Sequence, residues 1–237
     1  LLPITTSAQW LEFGAGCPEN SEPRIVHNIT LNDLISFDVE LQGLLADTVQ
    51  HDRISYLRLI GSPGTTPMNS VGFPELPAVV CFVAVPDDAD LELSCISEFP
   101  ETMALGLQVY PAPMDSLFTD STSTPYIGEY FVKDSSAYVS EEWYPEELAE
   151  IVGDFHLRDQ RVAIVSVHPV QYLASEDSLR VWTDQELSIL LDGEDLDWNE
   201  DGLGYYDLLV EDLLLGYYPE YQPIDKDIPH VFRHTFT

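Results

Sequence analysis

Apolar and polar side chains alternate along much of this chain. In residues 35–41 every second position is apolar: Ile35, Phe37, Val39 and Leu41. Successive side chains of a β-strand point to opposite faces, so this pattern predicts a strand with one buried face. The same alternation predicts strands at Ile54–Ile60, Leu91–Ile96, Leu105–Tyr110, Val162–Val167, Leu179–Thr183 and Leu187–Leu191.

One predicted strand differs from the others. Residues Ala78–Val85 are apolar throughout, which is typical of a central strand covered on both faces. Segments rich in Pro, Gly, Asp and Ser, such as Gly61–Gly64 and Pro86–Asp88, separate the strands and predict turns. Many short strands joined by turns favour a mainly β fold, an antiparallel β-sandwich with one or two short helices.

The remaining segments suggest how the chain is organised. Tyr205–Tyr217 has helical spacing of apolar residues and predicts the main helix, near the C-terminus, and Glu146–Ile151 predicts a further helical turn. Met114–Ser140 predicts a long polar loop, which in a compact domain is usually functional or disordered. We therefore divide the chain into an unassigned N-terminal segment (1–33), a β-sandwich domain (34–192), an acidic loop with a short helix (193–218) and an extended tail (219–237).

The charge excludes some partners. The chain has 42 Asp and Glu residues and nine Lys and Arg residues, which give a formal net charge of −33. Binding nucleic acid requires clustered basic residues, and an anionic membrane surface would repel this chain. An acidic surface suits a salt-adapted organism, a cation-binding secreted protein or a partner of a basic surface, and composition does not choose among them.

Localisation and disulfides are constrained by weaker signals. No apolar run is long enough to span a bilayer. The chain begins at Leu1 without Met, which suggests a removed signal peptide or a fragment, and we expect a secreted or cell-surface protein. Cys17, Cys81 and Cys95 are too few for a disulfide scaffold. Cys81 and Cys95 either pair with each other or remain separate buried thiols.

Local catalytic motifs do not occur in this sequence. The six histidines form no HExxH, and there is no Gly-x-Ser-x-Gly elbow or phosphate-binding glycine loop. Cys81 lies inside the most apolar run, where a thiol is more often packing than nucleophile. The sequence therefore predicts a protein without enzymatic activity of its own and without a required cofactor.

The best metal signal is an acidic segment before the predicted helix. Oxygen ligands at alternate positions followed by Gly202 resemble the start of a calcium loop, and the candidate ligands are Asp195, Asp197, Asn199, Asp201 and Asp207. The match is incomplete, because Asp207 occupies the eleventh place counted from Asp197 and the bidentate ligand is expected at the twelfth. The alternative is a solvated acidic loop that caps the following helix.

Several segments, taken in order, resemble the propeptide of the gingipain-type, caspase-like secreted cysteine peptidases. The matching segments are Gly72–Pro77 before the apolar strand, Val109–Pro113, Glu142–Pro145, Leu157–Val162, His168–Tyr172, Leu179–Trp182, Leu187–Ile189 and Tyr205–Leu209. They keep their order from about Ile35 to Tyr218. Each motif is short, and their collinearity carries the resemblance. Segment 1–33 matches nothing in that family.

This resemblance implies a function. A gingipain-type propeptide is a β-sandwich prodomain that assists folding and keeps its peptidase latent by laying a loop across the active-site cleft. The partner would be a caspase-like cysteine peptidase domain from the same precursor. The corresponding loop follows Pro113, and its candidate inhibitory residues are Leu117, Phe118, Thr119, Asp120 and Ser121.

Asp120 aligns with the position where family members place a basic residue. No Lys or Arg lies between Met114 and Val132, so the resemblance implies a peptidase that is not simply Arg- or Lys-specific. An Asp suits a pocket lined with basic groups. The alternative is that Ser116–Thr124 is a solvated surface loop whose Asp contacts only water.

Two other functions are compatible with the sequence. One is a structural or adhesive extracellular β domain that self-associates through sheet edges and is stabilised by cations. The other is a carbohydrate-binding module that uses exposed aromatic residues, for which the candidates are Trp143, Trp182 and Trp198. Aromatic residues that pack in the core explain these tryptophans more simply.

Overall fold

A computed structural model of the chain describes residues 8–13, 18–31, 33–68, 70–119, 125–157 and 160–193. The first strands are β1 (Gln9–Glu12), β2 (Arg24–Thr30), β3 (Leu34–Glu40), β4 (Gly43–His51), β5 (Ile54–Gly61) and β6 (Thr65–Pro67). They are followed by β7 (Pro77–Val85), β8 (Asp90–Ile96), β9 (Glu101–Ala104), β10 (Met114–Thr119), β11 (Pro125–Tyr130) and β12 (Trp143–Tyr144). The last are β13 (Ala149–Leu157), β14 (Gln160–Val167), β15 (Val170–Leu173), β16 (Ser178–Val181) and β17 (Asp184–Asp192). Residues Ala137–Val139 form a short 3-10 helix.

Two four-stranded antiparallel sheets enclose the first core. Their strand orders are β2-β3-β17-β8 and β13-β14-β7-β6. Alternate side chains from both sheets meet between them, as in a β-sandwich. The buried members of this core are Ile35, Phe37, Val39, Val79, Cys81, Val83, Val85, Ala89, Ala163, Val165, Val167, Leu187, Ile189 and Leu191.

The pairing register follows the alternation in the sequence. Phe37 of β3 lies opposite Leu187 of β17, and Ile35 lies opposite Ile189. All four side chains are fully buried, because a strand that keeps the period of two sends every second residue to the same face. The mainly β, antiparallel class predicted from the sequence is confirmed.

A second core lies between two further sheets, ordered β1-β4-β5 and β12-β15-β16-β9. Its buried members are Phe13, Leu41, Leu44, Ala46, Leu59, Leu76, Val109, Tyr138, Val170, Tyr172, Ala174, Leu179 and Val181. Strand β1 pairs with β4, and β2 pairs with β3. Both strands come from the segment that the sequence left unassigned, and each adds an edge strand to a sheet.

Three local predictions were wrong. Leu105–Tyr110 is not a strand: it forms only an isolated bridge between Val109 and Leu57, and Gly106 has a left-handed φ of 71°. Met114–Ser140 is not one loop, because it contains β10, β11 and the 3-10 helix. Glu146–Ile151 is not helical and leads into β13.

The reason for the last error is visible in the hydrogen bonds. The carbonyl of Glu147 accepts from His168 Nδ1 at 2.8 Å, and the carbonyl of Leu148 accepts from the His168 amide at 2.7 Å. The carbonyl of Pro145 accepts from the Gln171 amide nitrogen at 2.8 Å. Because these carbonyls bind partners about twenty residues away in the sequence, they are not available for a helical turn. The helix predicted at Tyr205–Tyr217 lies outside the described residues.

The two described cysteines lie in different sheets. Cys81 is on β7 and Cys95 is on β8, and both are free thiols. Of the two alternatives left open by the sequence, separate thiols are therefore present. None of the helices in the described ranges is long and apolar enough to cross a membrane.

Candidate functional site

A two-stranded hairpin, which we also call the ribbon, is separate from the four larger sheets, which we call the scaffold. Strands β10 and β11 pair in register from Met114 opposite Tyr130 to Thr119 opposite Pro125. Within the described ranges, neither strand pairs with any other. The hairpin therefore carries the segment after Pro113 away from the scaffold as an ordered ribbon.

The outer half of this hairpin exposes large apolar side chains. Leu117 and Ile127 lie directly opposite each other and are 74% and 75% exposed. On the other face, the rings of Phe118 and Tyr126 stack with centroids 5.7 Å apart. The Phe118 ring lies over Gly128, where an added Cβ would come within 2.9 Å of it. Aromatic packing thus orders the ribbon, and the aliphatic pair remains free to contact a partner.

Backbone hydrogen bonds anchor the chain that enters the hairpin. The amide of Tyr110 donates to the Leu57 carbonyl at 2.8 Å, and the amide of Glu75 donates to the Tyr110 carbonyl at 2.8 Å. The amide of Ala112 donates to the Phe73 carbonyl at 2.7 Å. The entry to β10 is therefore pinned between β5 and the segment before β7.

Arg58 of β5 forms an ion pair with β11, the second strand of the hairpin. Its Nη2 and Nη1 atoms lie 2.8 and 3.0 Å from the two carboxylate oxygens of Glu129 on β11. Its Nε and Nη2 atoms lie 2.8 and 3.2 Å from the carboxylate of Glu75, which is buried. One guanidinium thus binds two carboxylates in bidentate fashion, which is the strongest geometry for this pair. We call Glu75, Arg58 and Glu129 the clamp.

The clamp perturbs the titration of its members. The hydrogen bonds with Glu129 raise the pKa of Arg58 above its usual range, and those with Arg58 hold the pKa of Glu129 below its ordinary value. Burial raises the pKa of Glu75, and Arg58 offsets this rise in part. The guanidinium therefore remains charged while it joins the scaffold to the hairpin.

Aromatic contacts hold the exit of the hairpin. Phe131 stacks on His51 with ring centroids 3.8 Å apart, and it packs against Tyr56 and Tyr110. Two residues later, Lys133 Nζ donates to Gln108 Oε1 at 2.6 Å. Both ends of the hairpin are therefore fixed, and the ribbon projects from a rigid base.

The structure places only part of the predicted inhibitory segment. Leu117, Phe118 and Thr119 lie on β10. Asp120 and Ser121 lie outside the described residues, in the connection between β10 and β11. Sequence reasoning missed β11. The run of Asp, Ser, Thr and Pro at 120–125 between two stretches rich in apolar residues is a hairpin signal that could have indicated it.

The described residues contain no group of three or more His, Cys, Asp or Glu side chains that could hold a metal ion. The candidate calcium ligands Asp195, Asp197, Asn199, Asp201 and Asp207 lie outside the described residues, as does Trp198. Trp143 and Trp182 are half-buried, and the Arg180 guanidinium lies 3.9 Å from the Trp143 ring centroid and 5.9 Å from that of Trp182. This cation covers indole surface that a sugar ring would need.

The described thiols are poorly suited to nucleophilic chemistry. Burial raises the pKa of Cys81 to about 12 and that of Cys95 to about 11. A thiolate is the reactive form, so both side chains are largely protonated near neutral pH. The buried His168 lies 3.0 Å from Ser166 Oγ through Nε2, and its Nδ1 is bound to the Glu147 carbonyl. These contacts are explained by packing of the sheet.

Comparison with known sequences points to one family. The sequence model of the Propeptide_C25 family matches residues 32–222. Lys-gingipain from Porphyromonas gingivalis is 25% identical over 186 residues, which cover 76% of this chain and 10% of that protein. The Lys-gingipain of strain W83 matches to the same extent. The chain thus spans about a tenth of the length of the curated relatives it matches.

Two solved structures of Porphyromonas gingivalis proteins share this fold. One, from a study of the zymogenic latency of gingipain K, superposes with a TM-score of 0.60 at 19% identity and covers 79% of this chain and 99% of its own. Another, from a complex of the RgpB pro- and mature domains, superposes with a TM-score of 0.64 at 16% identity and covers 81% and 96%. At these identities the superpositions show a shared fold.

Proposed function

This chain belongs to the Propeptide_C25 family, and on that premise we propose that it is the secreted prodomain of a gingipain-like cysteine peptidase. In this proposal the prodomain assists folding of a caspase-like catalytic domain from the same precursor. It also keeps that domain latent by occluding its active-site cleft. The family membership and the projecting hairpin support this function. The zymogenic-latency and pro–mature complex structures that share the fold are consistent with it.

The observation that carries the proposal is the position of the hairpin. If residues 114–119 lay flat against their own scaffold, they could not enter the groove of another domain. Instead, β10 pairs only with β11 within the described ranges, and Leu117 is three-quarters exposed. Leu117 and the facing Ile127 form a contiguous exposed apolar surface, and contiguous apolar surfaces mark binding sites.

A rigid ribbon should bind in a cleft more tightly than a mobile loop would. Ordering a loop on binding opposes association, whereas a segment already held in its bound shape avoids that loss. Backbone hydrogen bonds of Tyr110 and Ala112 fix the entry to the ribbon. The clamp at Glu129 and the ring contacts of Phe131 fix its exit. The ribbon is therefore preorganised to fill a cleft.

Asp120 would occupy the specificity pocket of the peptidase. It follows β10 directly, and no Lys or Arg lies between Met114 and Val132. A carboxylate in a closed pocket requires basic partners, because an unpaired buried charge is strongly unfavourable. The peptidase would then carry a basic pocket instead of one that accepts Arg or Lys. The chain itself would act by steric occlusion, without chemistry of its own.

Inhibition of the cognate peptidase by the purified chain tests this function. The peptidase domain encoded downstream of this chain would be titrated with wild-type chain, Asp120→Ala and Leu117→Asp. Both variants should raise the inhibition constant and leave the thermal unfolding midpoint unchanged, because both side chains act outside the scaffold core. Ile96→Asp provides the matched control, since Ile96 is also an exposed apolar residue on a strand.

The outcomes separate the possible functions. If the wild-type chain does not inhibit the peptidase, the latency role is wrong. If it inhibits and Asp120→Ala inhibits equally well, Asp120 has no part in the mechanism, although the hairpin could still act through Leu117. If the chain instead elutes as a calcium-dependent oligomer in size-exclusion chromatography, the structural or adhesive function replaces the proposed one.

A further inference from the structure

The outer face of the sheet β12-β15-β16-β9 carries a guanidinium beside two tryptophans. Leu179 and Val181 of β16 are buried in the second core, so the intervening Arg180 points to the opposite face of the sheet. Its Cζ atom lies 3.9 Å from the centroid of the Trp143 ring and 5.9 Å from that of the Trp182 ring. We call Trp143, Arg180 and Trp182 the cation cluster.

A buried amide fixes one of these tryptophans. Gln171 of β15 lies directly opposite Arg180 and is only 4% exposed. Its Oε1 atom accepts a hydrogen bond from Trp182 Nε1 at 3.0 Å, and its Nε2 atom donates to the Pro145 carbonyl at 2.8 Å. Because both ends of the amide are bound, it holds the indole of Trp182 in a defined position. The contact with the Trp143 ring restricts the Arg180 side chain in a similar way.

The guanidinium of Arg180 has no carboxylate partner among the described residues. The other three arginines on described strands each bind carboxylates: Arg24 binds Glu40, Arg58 binds Glu75 and Glu129, and Arg161 binds Asp154. A guanidinium has five N–H donors, and those of Arg180 meet no acceptor in the part of the chain that the structure describes. In a chain with 42 Asp and Glu residues, such an arginine is unusual.

This arrangement favours a carboxylate as the ligand. A guanidinium presents a planar fork of donors that matches the two oxygens of a carboxylate, and stacking on an aromatic ring leaves the donors at its edge available. Because the Arg180 side chain is already restricted by the tryptophans, it loses little conformational freedom when it binds. The cation cluster is therefore preorganised to bind one carboxylate.

The cation cluster lies close to the base of the hairpin. Trp143 belongs to β12, an edge strand of its sheet, and the ring of the adjacent Tyr144 contacts that of Phe73 with centroids 5.2 Å apart. The Phe73 carbonyl accepts a hydrogen bond from the amide of Ala112, two residues before β10 begins. A domain whose cleft receives the ribbon would therefore come close to β12 as well.

We propose that the cation cluster binds the carboxylate of an Asp or Glu side chain on the surface of the peptidase domain. This inference rests on the proposed latency function and adds a second contact, outside the cleft. The exposed Glu141 and Glu142 precede Trp143, so a carboxylate accompanied by a basic residue would fit best. The strongly negative charge of the chain opposes binding of a polyanion, whereas a single carboxylate on a protein surface is compatible with it.

Calorimetric titration of the full chain with the peptidase domain measures this contact. The peptidase would carry alanine in place of its nucleophilic cysteine, so that it cannot degrade the chain. Arg180→Gln should raise the dissociation constant by about tenfold or more, and Arg180→Lys, which keeps the charge but loses the fork, should raise it less. Arg24→Gln is the matched control, because Arg24 is also a strand arginine but already binds Glu40, and it should bind like wild type.

The outcomes separate this contact from the latency function. If the wild-type chain does not bind the peptidase, the latency function is wrong, and the contact with it. If the wild-type chain binds and Arg180→Gln binds equally well, only the contact is wrong. If Arg180→Gln lowers the thermal unfolding midpoint without a change in the dissociation constant, the guanidinium pairs within its own chain, which would also overturn the contact.

Nitrogen-15 NMR of the arginine side chains provides an independent readout. The Nε–Hε resonance of Arg180 should shift when the peptidase is added, because the guanidinium gains a carboxylate. That of Arg161 should not, because its Nε already donates to Asp154 at 2.9 Å. A shift of the Arg180 resonance with millimolar glucuronate but not with the peptidase would identify a sugar acid as the ligand and overturn the proposal. Absence of a shift with either would overturn it too.

Discussion

Arg58 and Glu129 lie 71 positions apart in the sequence, and the guanidinium Nη2 of Arg58 binds Glu129 Oε1 at 2.8 Å. This ion pair joins β5 of the scaffold to the returning strand of the hairpin. The same guanidinium binds the buried carboxylate of Glu75. The position of the projecting ribbon and the stability of the scaffold therefore depend on one side chain.

Replacing Arg58 should destabilise the fold substantially. In Arg58→Met the Glu75 carboxylate stays buried without its cation, and breaking a buried pair in this way destabilises by about 3–5 kcal/mol. Urea unfolding would measure the loss. Arg58→Met combined with Glu75→Met should recover most of it, because no buried charge remains. Arg24→Met is the control, since the Arg24–Glu40 pair is exposed and should contribute less than about 1 kcal/mol. An equal loss in both single variants would contradict the assigned role of the clamp.

The Glu129 pair should weaken in acid. Arg58 holds the pKa of Glu129 below its ordinary 4.5, so the folded state binds fewer protons here than the unfolded state. The stabilisation is therefore fully present above that value and is lost as pH falls through the lowered pKa. Unfolding free energies from pH 6 to pH 3 should show wild type above Glu129→Gln at the upper end and a shrinking difference toward the lower end. The raised pKa of Glu75 acts in the opposite direction, and its largest cause, burial, is common to both proteins.

The matched control for this titration is Glu141→Gln, because Glu141 is an exposed carboxylate away from the clamp. If its difference from wild type follows the same pH profile, general charge repulsion explains the effect and the clamp does not.

A side chain at position 128 should disorder the ribbon locally. The Cβ of Gly128→Ala would lie 2.9 Å from the Phe118 ring, so the ring would have to shift and its stack on Tyr126 would be disturbed. We expect faster amide exchange in β10 and β11 and weaker inhibition, with exchange in β7 unchanged. Gly153→Ala is the control, because a Cβ there meets no atom within 4 Å. Unaltered exchange in Gly128→Ala would mean that the Phe118 contact does not order the hairpin.

The two main sheets could be predicted from the sequence because their residues follow a local rule. Phe37 and Leu187 are buried as the alternation requires, and β7 was located by its continuous apolar run. Leu105–Tyr110 also alternates, yet it forms no strand. Its backbone groups bind β5 and the segment before β7, which are partners that periodicity cannot reveal.

For the candidate site, the sequence predicted the location of the hairpin but not the contacts that hold it. Its location after Pro113 came from the resemblance, and the Ser- and Thr-rich connection suggested a loop. The clamp could not be foreseen, because nothing in the sequence pairs Arg58 with one carboxylate among many in an acidic chain. Such a contact is determined by the tertiary fold, which brings β5, β11 and the segment before β7 together.

The described thiols should resist modification in the folded protein. Burial raises the pKa of Cys81 to about 12 and that of Cys95 to about 11, so little thiolate is present at pH 8. Iodoacetamide at pH 8 should leave both residues unlabelled until denaturant is added, as peptide mass mapping would show. Labelling of native Cys95 at the rate of a free peptide thiol would show that β8 opens readily. Absence of labelling in denaturant would indicate a disulfide.

Calcium should stabilise the chain if Asp197, Asn199 and Asp201 converge on one ion, as the spacing of their oxygen ligands suggests. A ligand that binds only the folded state raises its stability, and for a chain of this length each kcal/mol shifts Tm by about 2–4 °C. Millimolar calcium should therefore raise Tm, and Asp201→Ala should remove the increment. Asp90→Ala, an exposed carboxylate on β8, is the control and should retain it. Because a net charge of −33 responds to any cation, magnesium and sodium chloride must be measured in parallel. An equal rise with either salt would assign the effect to charge screening and remove the calcium site.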